Sequence, residues 1–255
     1  MKLNSSKLGL YTVVGFPDKH ASNEILSIIS NCGDIGFIEL GFPYSDPVAD
    51  GPIIQKAHAK SLENGTKLKD LFDSANLITE IVKNRTEKKD IIAMGYINPI
   101  LQYGLKKFLE NAKLSGIDYL IIPDMPLEAY RLHYKETFEA ASISPIFLVA
   151  PNSSDERIKE IDLASNGYIY AISGLSITGI SINSNHLERQ KYISRLKSLK
   201  LQNKVIFGFG IKDKQDVNQI ISEGFYPVIG SAFIQNLEIT SDYKSNVNNF
   251  LKEVL

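Results

Sequence analysis

Glu39 sits inside the apolar run Phe37-Ile38-Glu39-Leu40. A carboxylate buried in a strand is costly unless it is paired or its pKa moves. Either outcome suits a general acid–base group, and a structural ion pair is the competing reading. Asp46 and Asp50 follow in Tyr44-Ser45-Asp46-Pro47-Val48-Ala49-Asp50-Gly51-Pro52, so three carboxylates fall within twelve residues. Taken singly, each aspartate reads as structural: Asp50 stands where a helix wants a cap, and Asp46 before Pro47 fixes a turn. Their company with Glu39 on one loop is what points to chemistry. Asp124, in Ile121-Ile122-Pro123-Asp124-Met125-Pro126, is a further cap or turn residue at a strand end and a supporting candidate.

Small-residue turns recur in the C-terminal half. Thr178-Gly179, Gly208-Phe209-Gly210 and Gly230-Ser231 each follow or end an apolar run. Glycine allows close backbone approach, and a helix N-terminus offers free N–H donors, so the three turns together suggest a phosphate site. Tyr11, Met94, Tyr96, Ile121, Leu148, Tyr170 and Phe209 also fall at strand ends. Where such residues share a mouth they form a flat apolar pocket suited to an aromatic group. Histidines 20, 58, 133 and 186 lack metal spacing and read as surface residues, so no metal is expected. No P-loop and no Ser/His/Asp arrangement is evident.

These residues need a frame that gathers strand ends. Eight short β-rich runs alternate with helical stretches: Leu10–Val14, Phe37–Leu40, Ile91–Gly95, Tyr119–Ile122, Ile146–Val149, Tyr168–Ile172, Val205–Phe209 and Pro227–Ile229. Several are continuously apolar, as in parallel strands buried on both faces. Helical patterns cover Asn23–Asn31, Ile53–Asn64, Leu68–Val82, Leu105–Leu114, Leu127–Ala140, Asp155–Leu163, His186–Leu199, Lys214–Ser222 and Lys244–Val254. Such alternation predicts an α/β protein, a single-domain (β/α)8 TIM barrel spanning 1–255. A doubly wound sheet is the alternative, but Gly15-Phe16-Pro17-Asp18 does not carry its dinucleotide fingerprint. The long connections 41–52 and 173–185 would both lie at the C-terminal face, where barrels build their sites.

The chain has 255 residues, with 28 basic and 29 acidic side chains and a formal net charge of -1. That balance argues against a dedicated nucleic-acid binder. One cysteine, Cys32, excludes an intrachain disulfide. No apolar run is long enough to span a membrane, and the polar start lacks the core of a signal peptide, so a cytoplasmic protein is expected. Read unaided, the residues describe a phosphate-binding barrel with carboxylate acid–base chemistry on a partly aromatic substrate.

The stretch Ile38-Glu39-Leu40-Gly41-Phe42-Pro43-Tyr44-Ser45-Asp46-Pro47-Val48-Ala49-Asp50-Gly51-Pro52-Ile53-Ile54-Gln55 closely resembles the signature of the tryptophan synthase alpha chain. Further matches run in the family's order: Gly15-Phe16-Pro17, Met94-Gly95-Tyr96-Ile97-Asn98-Pro99, Leu148-Val149-Ala150-Pro151, Gly208-Phe209-Gly210-Ile211 and Gly230-Ser231-Ala232. The resemblance implies a lyase of tryptophan biosynthesis that cleaves indole-3-glycerol phosphate to indole and glyceraldehyde 3-phosphate. It implies Glu39 and Asp50 as the catalytic pair and Gly179, Gly210, Gly230 and Ser231 as phosphate contacts. It places Tyr11, Met94, Tyr96, Ile121, Leu148, Tyr170 and Phe209 on or near the indole pocket. Asp46, Asp124 and Thr178 fall to the lid and its coupling, with Thr178 bonding Asp50 when loops two and six close. No cofactor is implied in this chain; pyridoxal phosphate is expected in a partner beta chain, within an alpha2beta2 heterotetramer. Val13 stands where the family commonly has Thr. Two other functions remain open at this point: a partner-independent indole-releasing lyase and a mainly regulatory alpha-type subunit.

Overall fold

The computed structural model of the chain describes residues 8–86, 88–172, 182–208, 210–239 and 241–255, the side chains of 182–186 excepted. Nine strands among these residues form one parallel sheet: β1 (Leu8–Val13), β2 (Ile35–Gly41), β3 (Asp90–Met94), β4 (Tyr119–Ile121), β5 (Ser144–Ile146), β6 (Leu148–Val149), β7 (Tyr168–Ile172), β8 (Lys204–Gly208) and β9 (Tyr226–Ile229). The order runs β5-β4-β3-β2-β1-β9-β8-β7-β6. Its two ends are neighbours in the chain, because β5 and β6 are one strand broken at Phe147. Ile121 pairs with Ile146 on one side of the break, and Tyr170 donates its N–H to the Phe147 carbonyl at 2.9 Å on the other. The ring therefore has eight positions, the expected TIM barrel. The expected strand Ile146–Val149 instead starts at Ser144 and changes partners at Phe147.

Both faces of the strands are dry, which is why their runs are apolar throughout. Alternation along each strand sends Leu10, Ile38, Leu40, Leu120, Ile169 and Phe207 outward against helices, all nearly fully buried. The inward face differs from end to end. At the N-terminal end, aromatic rings plug the barrel: Tyr168 lies 6.3 Å from Phe37, 5.0 Å from Tyr119 and 6.0 Å from Tyr226, centroid to centroid. The Lys204 ammonium rides over Tyr168 and Tyr226, and the Tyr168 hydroxyl donates to Asp90 at 2.7 Å. At the C-terminal end the same face carries Glu39.

The helices are α1 (Lys19–Asn31), α2 (Pro52–Glu63), α3 (Asp70–Val82), α4 (Ile97–Tyr103), α5 (Leu105–Leu114), α6 (Leu127–Ala129), α7 (Lys135–Ala141), α8 (Asp155–Ala164), α9 (Ile182–Ser198), α10 (Lys214–Ser222), α11 (Ser231–Asn236) and α12 (Tyr243–Val254). Helix α1 begins before the expected Asn23 because Asp18 caps it, accepting the Ala21 N–H at 2.9 Å. The helix expected over 127–140 is instead α6 and α7 joined by a π-turn at Tyr130–Tyr134. That turn seats the Tyr130 ring edge-on to Phe138 and Phe147. Helix α4 was not legible as a helix because Pro99 interrupts it; in its first turn a proline costs no hydrogen bond.

Gly9 is fixed by the aromatic plug, since a Cβ there would stand 2.1 Å from the Phe37 ring. Gly9→Ala should destabilise the barrel by about 1 to 3 kcal/mol through overpacking, read as a lower urea midpoint with an unchanged slope. An unchanged midpoint would show that the ring can move aside.

Candidate active site

The mouth is built from strand ends, and strand parity decides what enters it. Glu39 pairs with Tyr11 on β1 and with Ile92 on β3, so these three share the inward face. Met94 and Ile121 follow on that face through the β3–β4 register, and Leu148 and Tyr170 share it on the β6–β7 side. Tyr11, Met94, Ile121, Leu148 and Tyr170, expected around an aromatic substrate, therefore line one face; Tyr96 lies beyond the end of β3, and Phe209 lies outside the described residues.

Glu39 is fully buried, and neither carboxyl oxygen has a hydrogen-bond partner among the described residues. The competing reading, a structural ion pair, finds no partner among the described residues. Burial first, and the Asp50 carboxylate second, push the Glu39 carboxyl up to about 8. Asp50 comes from the loop between β2 and α2, and its side chain is only 5% exposed. It is not the helix cap that its position suggested. Gly51 is the N-cap of α2, with no side-chain bond, and Pro52 opens the helix. The Asp50 carboxylate turns inward and accepts the Tyr96 hydroxyl at 2.8 Å. Burial pushes Asp50 up to about 6, against the lowering effect of that bond.

Tyr96, expected only as a pocket wall, thus has a polar task. Its oxygen also accepts the Ala49 N–H at 3.0 Å, and its ring stacks on Tyr44 with centroids 5.1 Å apart. Gln55 on α2 steadies the same loop by donating to the Asp50 carbonyl at 2.8 Å. The Tyr11 and Tyr170 hydroxyls stay protonated, because burial raises both and the charges of Asp50 and Glu39 add to it. Two glycines make room for these phenols. A Cβ on Gly41 would stand 2.3 Å from the Tyr11 oxygen, and one on Gly208 would stand 2.1 Å from that of Tyr170.

Gly230 is the N-cap of α11 and lies against the Tyr11 side chain, where a Cβ would be 3.5 Å from Tyr11 Cβ. Gly230 and Ser231 thus place first-turn N–H donors beside the pocket wall. Gly210 adopts φ +71 in the turn after β8, a left-handed conformation that favours glycine. Thr178 and Gly179 lie outside the described residues. Asp46 and Asp124 do not join the acids. Asp46 is exposed and accepts the Ser45 hydroxyl at 2.6 Å, while exposed Asp124 accepts the Ile97 N–H at 3.0 Å and ties two mouth loops together.

His58 corrects the reading of the histidines as surface residues. It is 1% exposed, on the inward side of α2, with Nε2 3.2 Å from the Tyr11 oxygen. Its spacing from Ile54 and Ser61 on one helical stripe was the available signal. His20 and His133 are exposed as expected. No cluster of three metal-ligating side chains occurs among the described residues. A groove of about 780 Å³ between α1 and α12 lies on the outer flank and includes neither acid in its lining.

A family model, the tryptophan synthase alpha chain, matches residues 1–254. This chain belongs to the tryptophan synthase alpha chain family. The alpha chain of Flavobacterium psychrophilum is 40% identical over 255 residues, covering 99% of this chain and 97% of its own length. That of Christiangramia forsetii is 42% identical over 247 residues, covering 97% and 93%. Among solved structures, a mutant tryptophan synthase alpha-subunit from Pyrococcus furiosus superposes with a TM-score of 0.83 at 32% identity, covering 97% of each chain. A chain of the tryptophan synthase complex from the same organism gives 0.82 at 31% identity, again covering 97% of each chain. The long match around Glu39 and Asp50 in the tryptophan synthase alpha chain family is thus set on the family's own barrel.

The raised pKa of Glu39 has a sign for stability. Between pH 4.5 and about 8 the folded chain holds a proton that the unfolded chain has released, so stability falls as pH rises through that window. Glu39→Gln removes this linkage. The variant should gain roughly 1 to 3 kcal/mol over the parent at pH 8 and little at pH 4, by urea unfolding at both pH values. An equal gain at both would contradict the buried neutral acid.

Proposed function

We propose that Glu39 and Asp50 are the acid–base pair with which this chain, a lyase of the tryptophan synthase alpha chain family, cleaves indole-3-glycerol phosphate to indole and glyceraldehyde 3-phosphate. One observation carries the assignment: two buried carboxyls that act on each other electrostatically, Glu39 near the end of β2 raised to about 8 and Asp50 on the loop after it raised to about 6. Near pH 7 that pair is a protonated Glu39 beside an ionised Asp50. Environments that push two acids apart in this way assign their roles.

The cleavage is a retro-aldol step, and indole leaves only after its C3 is protonated. Glu39 gives its proton to C3, and positive charge moves to the ring nitrogen. The Asp50 carboxylate, held by Tyr96, faces that N–H and stabilises the charge. Glu39, now ionised, accepts the proton of the adjacent glycerol hydroxyl. The bond between C3 and the glycerol carbon breaks, its electron pair restores the indole, and the aldehyde forms. Protonated indole is itself the electron sink, so this chain needs no cofactor for the step.

The ring would lie among Tyr11, Met94, Tyr96, Ile121, Leu148, Tyr170 and Phe209, with the phosphate on Gly179, Gly210, Gly230 and Ser231. The face for Met94, Ile121, Leu148 and Tyr170 and the α11 N-terminus beside Tyr11 support that placement. The partner is a tryptophan synthase beta chain in an alpha2beta2 assembly, where pyridoxal phosphate on the beta chain serves the consumption of indole. The Pyrococcus furiosus neighbour, solved as a tryptophan synthase complex, supports this reading. No described helix is long and apolar enough to cross a membrane, which is consistent with work in the cytoplasm.

The pair predicts a bell-shaped kcat/KM for indole release, with apparent limbs near 6 and 8 belonging to the coupled acids. Activity rises as Asp50 ionises and falls as Glu39 loses its proton. Glu39→Gln and Asp50→Asn should each fold and lose about 10²-fold or more in turnover. Parent-like indole release by either variant would overturn the assignment. The same assay with added beta chain tests the partner: stimulation and co-migration are expected, and neither would be seen for a free-standing lyase.

A further inference from the structure

His58 sits behind the catalytic pair with a question of where its proton resides. Its Nε2 lies 3.2 Å from the Tyr11 oxygen and 3.8 Å from Asp50 Oδ2, and its Nδ1 has no partner among the described residues. Burial drives its pKa down to about 4, so the ring is neutral wherever the enzyme works. The approach to Asp50 is therefore no ion pair. A neutral imidazole carries one proton, and its two tautomers face different surroundings. With the proton on Nδ1, Nε2 would accept the Tyr11 O–H, but a buried N–H would have no partner among the described residues and the Nε2 lone pair would also face the Asp50 carboxylate. With the proton on Nε2, the N–H faces two oxygens, and only a ring lone pair goes without a partner. Orphaned buried donors are the rarer and costlier case.

We infer that His58 is a positioning residue, held as the Nε2–H tautomer, which donates to the Tyr11 oxygen and leans on Asp50, so that the Tyr11 O–H is left to donate into the reaction slot. The placement of Tyr11 supports this. It pairs with Glu39 across β1 and β2, its oxygen rests over Gly41, and its Cβ lies against Gly230. A phenol whose oxygen already accepts from His58 keeps its proton for a partner on the pocket side, where an oxygen of the substrate's glycerol chain would lie. Among the described residues, the titratable groups facing His58 are Tyr11 from β1 and Asp50 from the loop before α2. Glu39 and Tyr96 stand behind them, each acting on Tyr11 or Asp50. The Nε2–H also favours the ionised form of Asp50, which helps keep that acid charged near pH 7. The inference rests on the acid–base assignment for its catalytic consequence, but not for the tautomer itself.

The tautomer is directly observable. In the full chain labelled with 15N-histidine, with His58→Gln used to assign the signal, the His58 ring should show a protonated Nε2 and a bare Nδ1 from neutral pH down to about pH 5. A proton on Nδ1, or a ring that becomes cationic near pH 6, would overturn the inference. For catalysis, His58→Leu should lower kcat by roughly tenfold, with KM less affected, and move the acidic limb of the kcat/KM profile upward. His58→Gln, whose amide N–H reaches the Nε2 position, should recover most of the rate and return the limb to its parent position. If His58→Leu does not fold, His58→Gln with the parent limb and the observed tautomer sustain the inference. A leucine variant that loses stability but keeps the parent kcat and acidic limb would reduce His58 to packing. Failure of the acid–base assignment would show separately, as activity retained in Glu39→Gln or Asp50→Asn.

Discussion

A carboxyl group taken out of water without a partner favours its neutral form, and Glu39, buried with no partner among the described residues, is driven that way by the barrel around it. The inward face of β2, the ring of neighbouring strands and the tyrosines beside it exclude water from the acid. The arrangement costs stability at neutral pH, because the unfolded glutamate ionises freely. The carboxyl raised to about 8 is what the proposed role of proton donor needs, since general acid catalysis works best with a pKa close to the operating pH. Asp50 is treated differently. It is buried too, but the Tyr96 hydroxyl stabilises its charge, so the two acids are separated in pKa by their surroundings rather than by their chemistry.

The rest of the site serves that separation. Tyr96 is held by the Ala49 N–H and by stacking on Tyr44, and Gln55 fixes the Asp50 backbone from α2. Gly41 and Gly208 are small because phenol oxygens occupy the space their side chains would fill. The opposite end of the barrel is closed by Phe37, Tyr119, Tyr168 and Tyr226, so the strands are anchored by rings below and free to carry polar groups above. The proposed site thus occupies one end of the barrel, and the aromatic rings pack the other.

The barrel was legible because its signals are local and repeated. Apolar runs alternating with amphipathic stretches fix the number and type of elements, and each observed strand overlaps an expected one. The differences lie where tertiary contacts override local pattern. The break at Phe147 comes from two different neighbours claiming the two halves of one strand. The π-turn at Tyr130–Tyr134 accompanies an aromatic contact with Phe147, at the break between β5 and β6. Start points such as Lys19 depended on a cap, Asp18, that stood outside the apolar pattern.

By itself the sequence determined the fold class and the family to which the chain belongs, and it singled out the two acids and the turns proposed for phosphate. These depend on residue types and on short spacings along the chain. Only the tertiary structure decided that Asp50 turns toward Tyr96 instead of capping α2, that Glu39 lacks an ion-pair partner among the described residues, and that His58 is buried against Tyr11. Tyr11, Asp50, His58 and Tyr96 belong to different strands, helices and loops. Their meeting, and the burial that sets their proton affinities, exist only once the barrel has closed.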